Sequence, residues 1–237
     1  FQRVGWLAPN YKGRLFWKLF TKPREKKLND RELEFLKKAK STQLKSDFYN
    51  EIYTVHKFGM GNKKVLLCHG WEGRTVDFRK IIEGLSIESD MQIISLDFPG
   101  HGESPESRAH LPMFVDVIHS FLKVMPAIDV IIGHSLGAAS IAMTVPKSPD
   151  VFKNKKLIFM GLHPVPSQFV TQYKSVTRIS DKLFERCMRF AERQLNQALT
   201  DYDCHDRVLI YSESEVLYIQ YSVDAIIKLR RIAEVHA

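Results

Sequence analysis

Cysteine is scarce in this 237-residue chain: Cys68, Cys187 and Cys204 are the only three, and no two form a C-x-x-C pair. An odd count without paired spacing argues against a disulfide framework and favours a reducing compartment, the cytoplasm. No apolar run approaches the ~20 residues that span a bilayer. No segment of about 20–50 residues repeats, and low-complexity stretches are lacking. Residue types that suit a metal cluster once, in Asp201-Tyr202-Asp203-Cys204-His205-Asp206, with no second cluster at ligand spacing; the sequence therefore assigns no metal site. The chain carries a net charge of +8, with much of the excess between Lys12 and Lys45. No nucleic-acid-binding motif accompanies that charge, and the basic residues are not interleaved with aromatics in a repeated pattern. Nucleic acid is therefore not an expected partner.

What remains is an ordinary globular composition, 44% hydrophobic and 26% charged, enough for one α/β domain with a full core. Residue 1 is Phe rather than Met, as in a processed or partial product. Residues 1–47 read as an N-terminal helical extension. Phe16, Trp17, Leu19 and Phe20 precede the basic run Lys22-Pro23-Arg24-Glu25-Lys26-Lys27. Asn29 or Asp30 can then cap a helix over Arg31–Ala39. Such a helix docks on the domain. Aromatics beside Lys and Arg also suit peripheral contact with a membrane surface.

Residues 48–237 alternate short apolar runs with helical patterns. The runs Lys64–Cys68, Met91–Asp97, Val130–Ile132, Leu157–Met160 and Val208–Tyr211 are nearly continuous in Val, Ile and Leu, as in strands buried on both faces. Thr75–Glu88, Met113–Val124 and Leu136–Val145 are long enough for crossover helices. The alternation predicts an α/β fold with a mostly parallel, doubly wound sheet. One interval, 162–206, is too long for a simple crossover. Within it Leu183, Cys187, Phe190, Leu195 and Leu199 recur at helical spacing. It is expected to be a small helical lid over the carboxyl ends of the strands, where α/β sheets bind ligands.

Gly133-His134-Ser135-Leu136-Gly137 carries the pattern G-x-S-x-G between a strand and a helix rich in Ala and Ser. A strand that turns sharply into a helix exposes the serine hydroxyl, and the glycines stand where the backbone passes too close for a Cβ. The five-residue pattern alone arises by chance in about one chain in ten to twenty; its setting makes Ser135 the candidate nucleophile. Leu67-Cys68-His69-Gly70-Trp71 ends the first strong strand. Such a loop supplies one backbone N–H to an oxyanion hole, and the residue after the nucleophile supplies the other. Those donors are Trp71 and Leu136, with Gly70 letting the backbone approach the substrate.

A third segment, Asp97-Phe98-Pro99-Gly100-His101-Gly102-Glu103-Ser104, follows the next strand. HG-x, D-x-x-G-x-G-x-S and G-x-S-x-G in this order closely resemble the α/β-hydrolase superfamily, over residues from about 50 to 237. The extension and the insertion more loosely resemble bacterial members of uncertain substrate. The resemblance implies the α/β-hydrolase fold and a Ser, acid, His triad in chain order. The acid position after Arg207–Ser212 is held by Glu215, with Glu213 as the neighbouring alternative. His236 is the histidine that follows both, but Ile232–Ala237 reads as the start of the final strand that the family's histidine follows, which leaves a catalytic histidine beyond residue 237 as the alternative. The implied reaction is hydrolysis of a small-molecule carboxylic ester or thioester through an acyl-enzyme, with no cofactor. Glu in place of Asp leaves a rival open, a catalytically impaired binding or scaffolding protein. A peptidase or acyltransferase on the same scaffold is another.

Overall fold

The computed structural model describes residues 9–88, 90–162, 180–202, 215–221 and 227–231. Among these, the strands are β1 (Lys40–Lys45), β2 (Ile52–Phe58), β3 (Lys63–Cys68), β4 (Met91–Asp97), β5 (Val130–His134), β6 (Lys156–Met160), β7 (Glu215–Tyr221) and β8 (Ile227–Arg231). They form one sheet in the order β1-β2-β4-β3-β5-β6-β7-β8. Strands β3 to β7 run parallel, while β1, β2 and β8 are antiparallel additions at the two edges.

The continuous apolar runs have a direct cause: successive side chains enter two different cores. Leu66 and Cys68 join Ile94, Leu96, Ile131, Leu157 and Phe159 on one face, and Val65 and Leu67 join Ile93 and Ile132 on the other. A helix covers each face, so no position on these strands can be polar without cost. The first face is packed by α4 (Leu111–Val124) and α5 (Leu136–Thr144) through Phe114, Ile118, Phe121, Ala138 and Ile141. The second is packed by α2 (Asp30–Leu36), α3 (Arg79–Leu85) and the single 3₁₀ turn Thr75–Phe78 that precedes α3. Leu66, Leu67, Ile93 and Ile94 are fully buried, each side chain contributing about 1.5–3 kcal/mol. This is the expected α/β-hydrolase architecture.

The sheet begins earlier than the sequence suggests. Strand β1 lies within the stretch read as an extension, and all six of its residues are exposed. An edge strand with no buried face has no apolar alternation to read. The capped helix of the extension is α2, where Asn29 Oδ1 accepts the Glu32 N–H (3.0 Å) and Glu32 Oε2 accepts the Asn29 N–H (2.9 Å). Ahead of it, α1 (Pro9–Phe20) packs on the long helix of the insertion, Asp181–Leu195. Between these helices in sequence runs a single-turn helix, α6 (Pro149–Phe152), so the insertion helix is α7. Gly13 sits where α1 meets α7, since a Cβ there would stand 2.8 Å from Phe190 Cβ. Residues 163–179 and 203–206 of the expected lid lie outside the described residues, as does the expected strand Val208–Tyr211. Among the described residues, no helix is long and apolar enough to cross a membrane.

Candidate active site

Ser135 joins β5 to α5 with φ +50° and ψ −114°, a conformation that a residue with a Cβ rarely adopts. The backbone holds it there from both sides. Its N–H donates to the Met160 carbonyl of the neighbouring strand (2.9 Å), and its carbonyl accepts the Ala139 N–H within the new helix (3.0 Å). The side chain is left exposed. The two glycines of the motif stand where the turn touches its surroundings. A Cβ on Gly133 would lie 2.6 Å from Ala138 Cα, and one on Gly137 would lie 2.2 Å from the Cys68 carbonyl oxygen and 2.5 Å from that of His69. Helix α5 therefore lies directly on the end of β3, which explains the small residues Gly137, Ala138, Ala139 and Ser140.

That contact brings the loop after β3 to the serine. Cys68 and Gly133 are register partners on adjacent parallel strands, so His69-Gly70-Trp71 leaves the sheet beside Ser135 and Leu136. A Cβ on Gly70 would be 3.0 Å from Ser135 Cβ and 3.1 Å from the His134 carbonyl oxygen. Leu136 is the first residue of α5, so its N–H is one of those a helix leaves without an acceptor. Among the described residues the Trp71 N–H has no acceptor either. Ser135, Gly70, Trp71 and Leu136 thus come together at the amino end of a helix, where negative charge is favoured.

His69 and His101, on the loops beside the elbow, are structural. His69 Nδ1 donates to the Gly70 carbonyl (2.7 Å), and its Nε2 accepts the Phe98 N–H (3.2 Å). Both nitrogens are committed, which fixes the neutral tautomer carrying its proton on Nδ1. Burial lowers its pKa, although Asp97 and the Gly70 carbonyl oppose this. His101 Nδ1 donates to the Pro99 carbonyl (2.9 Å), and burial, with His69 nearby, drives its pKa down to about 3. Its ring meets the Trp71 indole edge to face, with centroids 5.3 Å apart.

The aspartate of the D-x-x-G-x-G-x-S segment is also structural. Asp97 Oδ1 accepts the Thr75 N–H (2.7 Å) and the Thr75 hydroxyl (2.8 Å). Its Oδ2 accepts the Glu103 N–H (2.8 Å) and faces His56 Nε2 (3.0 Å). His56 Nδ1 in turn meets Ser41 Oγ at 2.8 Å. This is a Ser-His-Asp chain in outline, but Asp97 is fully buried and saturated, and Ser41 lies on an edge strand rather than at a strained turn. Burial pushes the Asp97 pKa up; His56, His69 and the Glu103 N–H outweigh that and bring it down to about 2.

Glu215 does not join Ser135. It is the first residue of β7 and pairs with Lys156, the first residue of β6, which pairs with Val130 at the start of β5. Glu215 therefore stands at the amino ends of the parallel strands, about 13 Å of strand away from the level of Met160 and Ile219. The physical reason is register. Glu215 opens the strand beside β6 instead of following one. Glu213 and His236 lie outside the described residues.

The residues 63–195 match the family model described as the alpha/beta hydrolase fold. This chain belongs to the α/β-hydrolase fold family. A serine hydrolase-like protein of Dictyostelium discoideum is 29% identical over 122 residues, 48% of this chain and 33% of the relative. The chain thus spans about a third of the length of that relative. Among solved structures, a variant of the N-acyl homoserine lactonase AidH complexed with N-hexanoyl homoserine superposes with a TM-score of 0.53 at 17% identity, over 77% of this chain and 78% of that one. A candidate aryl esterase from Burkholderia cenocepacia gives a TM-score of 0.53 at 15% identity, over 81% and 83%. At these identities the likeness is one of fold.

Proposed function

We propose that this chain is a serine hydrolase that cleaves a small-molecule carboxylic ester or thioester through an acyl-enzyme on Ser135. The observation that carries the reading is the strained, exposed Ser135 at φ +50°, with Gly70 pressed against it. In this reading Ser135 Oγ attacks the carbonyl carbon while a histidine takes its proton. The carbonyl oxygen becomes an oxyanion held by the N–H groups of Trp71 and Leu136. The protonated histidine returns its proton to the departing alcohol or thiol, and water, activated by the same histidine, releases the acid.

The acid of the triad comes from the chain beyond β7. Ile219 is level with Met160, whose carbonyl binds Ser135, and β7 ends two residues later at Tyr221. The first carboxylate after it in sequence is Asp224, and His236 follows it. Both lie outside the described residues and enter by chain position, in the Ser, Asp, His order of this fold.

The rival is a catalytically impaired binding protein. In its favour, His69, packed beside the elbow loop, has both nitrogens engaged, so the base must come from elsewhere. A fluorophosphonate probe separates the two readings. The serine hydrolase forms a covalent adduct, mapped by mass spectrometry to the peptide containing Ser135 and lost in Ser135→Ala. A chain that stays unlabelled under conditions that label a known esterase, or labelling that survives Ser135→Ala, overturns the proposal.

A further inference from the structure

The loop after β3 is held by more than the sheet. Glu72 stands between Trp71 and Gly73 with φ +54°, in the left-handed region that a Cβ disfavours. Two basic residues of the N-terminal extension secure it. Arg24 Nε lies 2.9 Å from both carboxylate oxygens of Glu72, Arg24 Nη2 donates to Oε2 (2.6 Å), and the Arg24 N–H donates to Oε1 (3.2 Å). Lys26 Nζ donates to the Glu72 carbonyl (2.6 Å). The loop grips the extension in return. Arg74 Nη1 donates to the carbonyls of Lys26 (2.8 Å) and Lys27 (3.3 Å), and Nη2 donates to Glu32 Oε1 (2.8 Å). Glu32 is itself fixed as half of the α2 capping box.

Trp71 is therefore bracketed. On one side Gly70 is pressed against Ser135; on the other Glu72 is clamped by the extension; and the indole rests on His101. We propose that Arg24 and Lys26 form a positioning strap, which locks Glu72 and so fixes the Trp71 backbone as an oxyanion donor. This rests on the reading of Trp71 given above. Arg24 and Glu72 act through that backbone and are positioning residues. The Arg24 side chain is 82% exposed and that of Glu72 13%. Because the Arg24 end of the pair stays in water, the pair adds little to folding stability, whereas misplacing a catalytic group by about 1 Å costs on the order of a hundredfold in rate. The strap should therefore register in turnover and not in unfolding.

The test uses the full chain with Arg24→Ala, Glu72→Gln and Arg24→Lys. Three quantities are read: kcat and KM for p-nitrophenyl acetate, the inhibition constant of a trifluoromethyl ketone, which binds as an oxyanion, and the urea midpoint. Arg24→Ala and Glu72→Gln should lower kcat about tenfold, with KM within about twofold of wild type. The ketone should weaken by the same factor, and the urea midpoint should hold. Arg24→Lys keeps the charge without the forked contact and should fall between. The strap is refuted if both variants keep kcat and ketone affinity within about twofold of wild type. It is also refuted if kcat falls only in step with the urea midpoint while ketone affinity stays. A wild-type chain that neither turns over nor labels at Ser135 defeats the serine-hydrolase reading and the strap together; an active wild type with indifferent variants defeats the strap alone.

Discussion

The backbone of Ser135 makes a prediction that separates strain from chemistry. Its φ of +50° and ψ of −114° lie where glycine is comfortable and other residues are not, at a cost of about 1–3 kcal/mol. Ser135→Ala removes the hydroxyl but keeps the Cβ, so it should abolish turnover and leave stability close to wild type. Ser135→Gly removes both. Glycine also loosens the unfolded chain, which costs about 0.4–1 kcal/mol, so the net gain over the alanine variant should be about 0.5–2 kcal/mol. Little else differs between the two. The side chain is exposed, and the hydrogen bonds to Met160 and from Ala139 use backbone atoms that both variants keep. In a chain of 237 residues that gain corresponds to a rise of a few degrees in Tm, at about 2–4 °C per kcal/mol. Differential scanning calorimetry of the two inactive variants side by side is the assay. A glycine variant no more stable than the alanine variant would show that the turn is relaxed, and would remove the strongest support for Ser135 as the nucleophile.

Other perturbations test the surroundings. Gly137→Ala places a Cβ 2.2 Å from the Cys68 carbonyl oxygen, and backbone cannot swing aside; a loss of about 1–3 kcal/mol in urea unfolding is expected, and a neutral result would mean that α5 does not rest on the end of β3. Asp97 has a pKa of about 2 against an ordinary 3.8. Because the folded value is the lower one, its stabilisation is complete above the ordinary value and is lost as pH falls toward 2. That gap is worth about 2 kcal/mol, so wild type should lose about that much more than Asp97→Asn between pH 6 and pH 2, and parallel pH profiles would refute the assignment. Asp224→Asn should cut turnover about 10⁴-fold, while Glu215→Gln stays within a few-fold of wild type; the opposite order would restore Glu215 and place the register of β7 in error.

Much of the fold was legible because both faces of the central sheet are covered. Met91–Asp97 forms a strand with the bounds its apolar run suggests, and Leu111–Val124 and Leu136–Thr144 fall within two residues of expectation. The edges were less legible for the same physical reason. Lys40–Lys45 has no buried face, and Ile52–Phe58 carries Thr54 and His56 at buried positions because Asp97 and Ser104 supply their partners. A polar residue buried with its partner looks like a surface residue in sequence. Glu72 left a fainter signal still: a charged residue between Trp71 and Gly73 gives no sign of a left-handed backbone, and its partner Arg24 is 48 positions away.

The same contrast divides the candidate site. Gly70, Gly133 and Gly137 stand where a Cβ would meet other atoms within 3.0 Å. A Cβ on Gly133 or Gly137 would overlap its neighbours and one on Gly70 would crowd Ser135, so the elbow and the loop after β3 write themselves into the sequence as glycines. An acid that orients a histidine obeys a looser rule. It must emerge from the correct end of a strand, but many polar residues satisfy the local chemistry, and the strand's register decides which one arrives. Glu213, Glu215 and Asp224 lie within twelve consecutive residues, and the pairing of Glu215 with Lys156 and of Ile219 with Met160 sets Glu215 at the far end of its strand from the level of Ser135. Because successive residues advance about 3.3 Å along a strand, reading β7 as Val208–Tyr211 instead of Glu215–Tyr221 carries Glu215 from one edge of the sheet to the other. The nucleophile half of the site is thus specified by exclusion of atoms, and the acid half by counting residues along a strand.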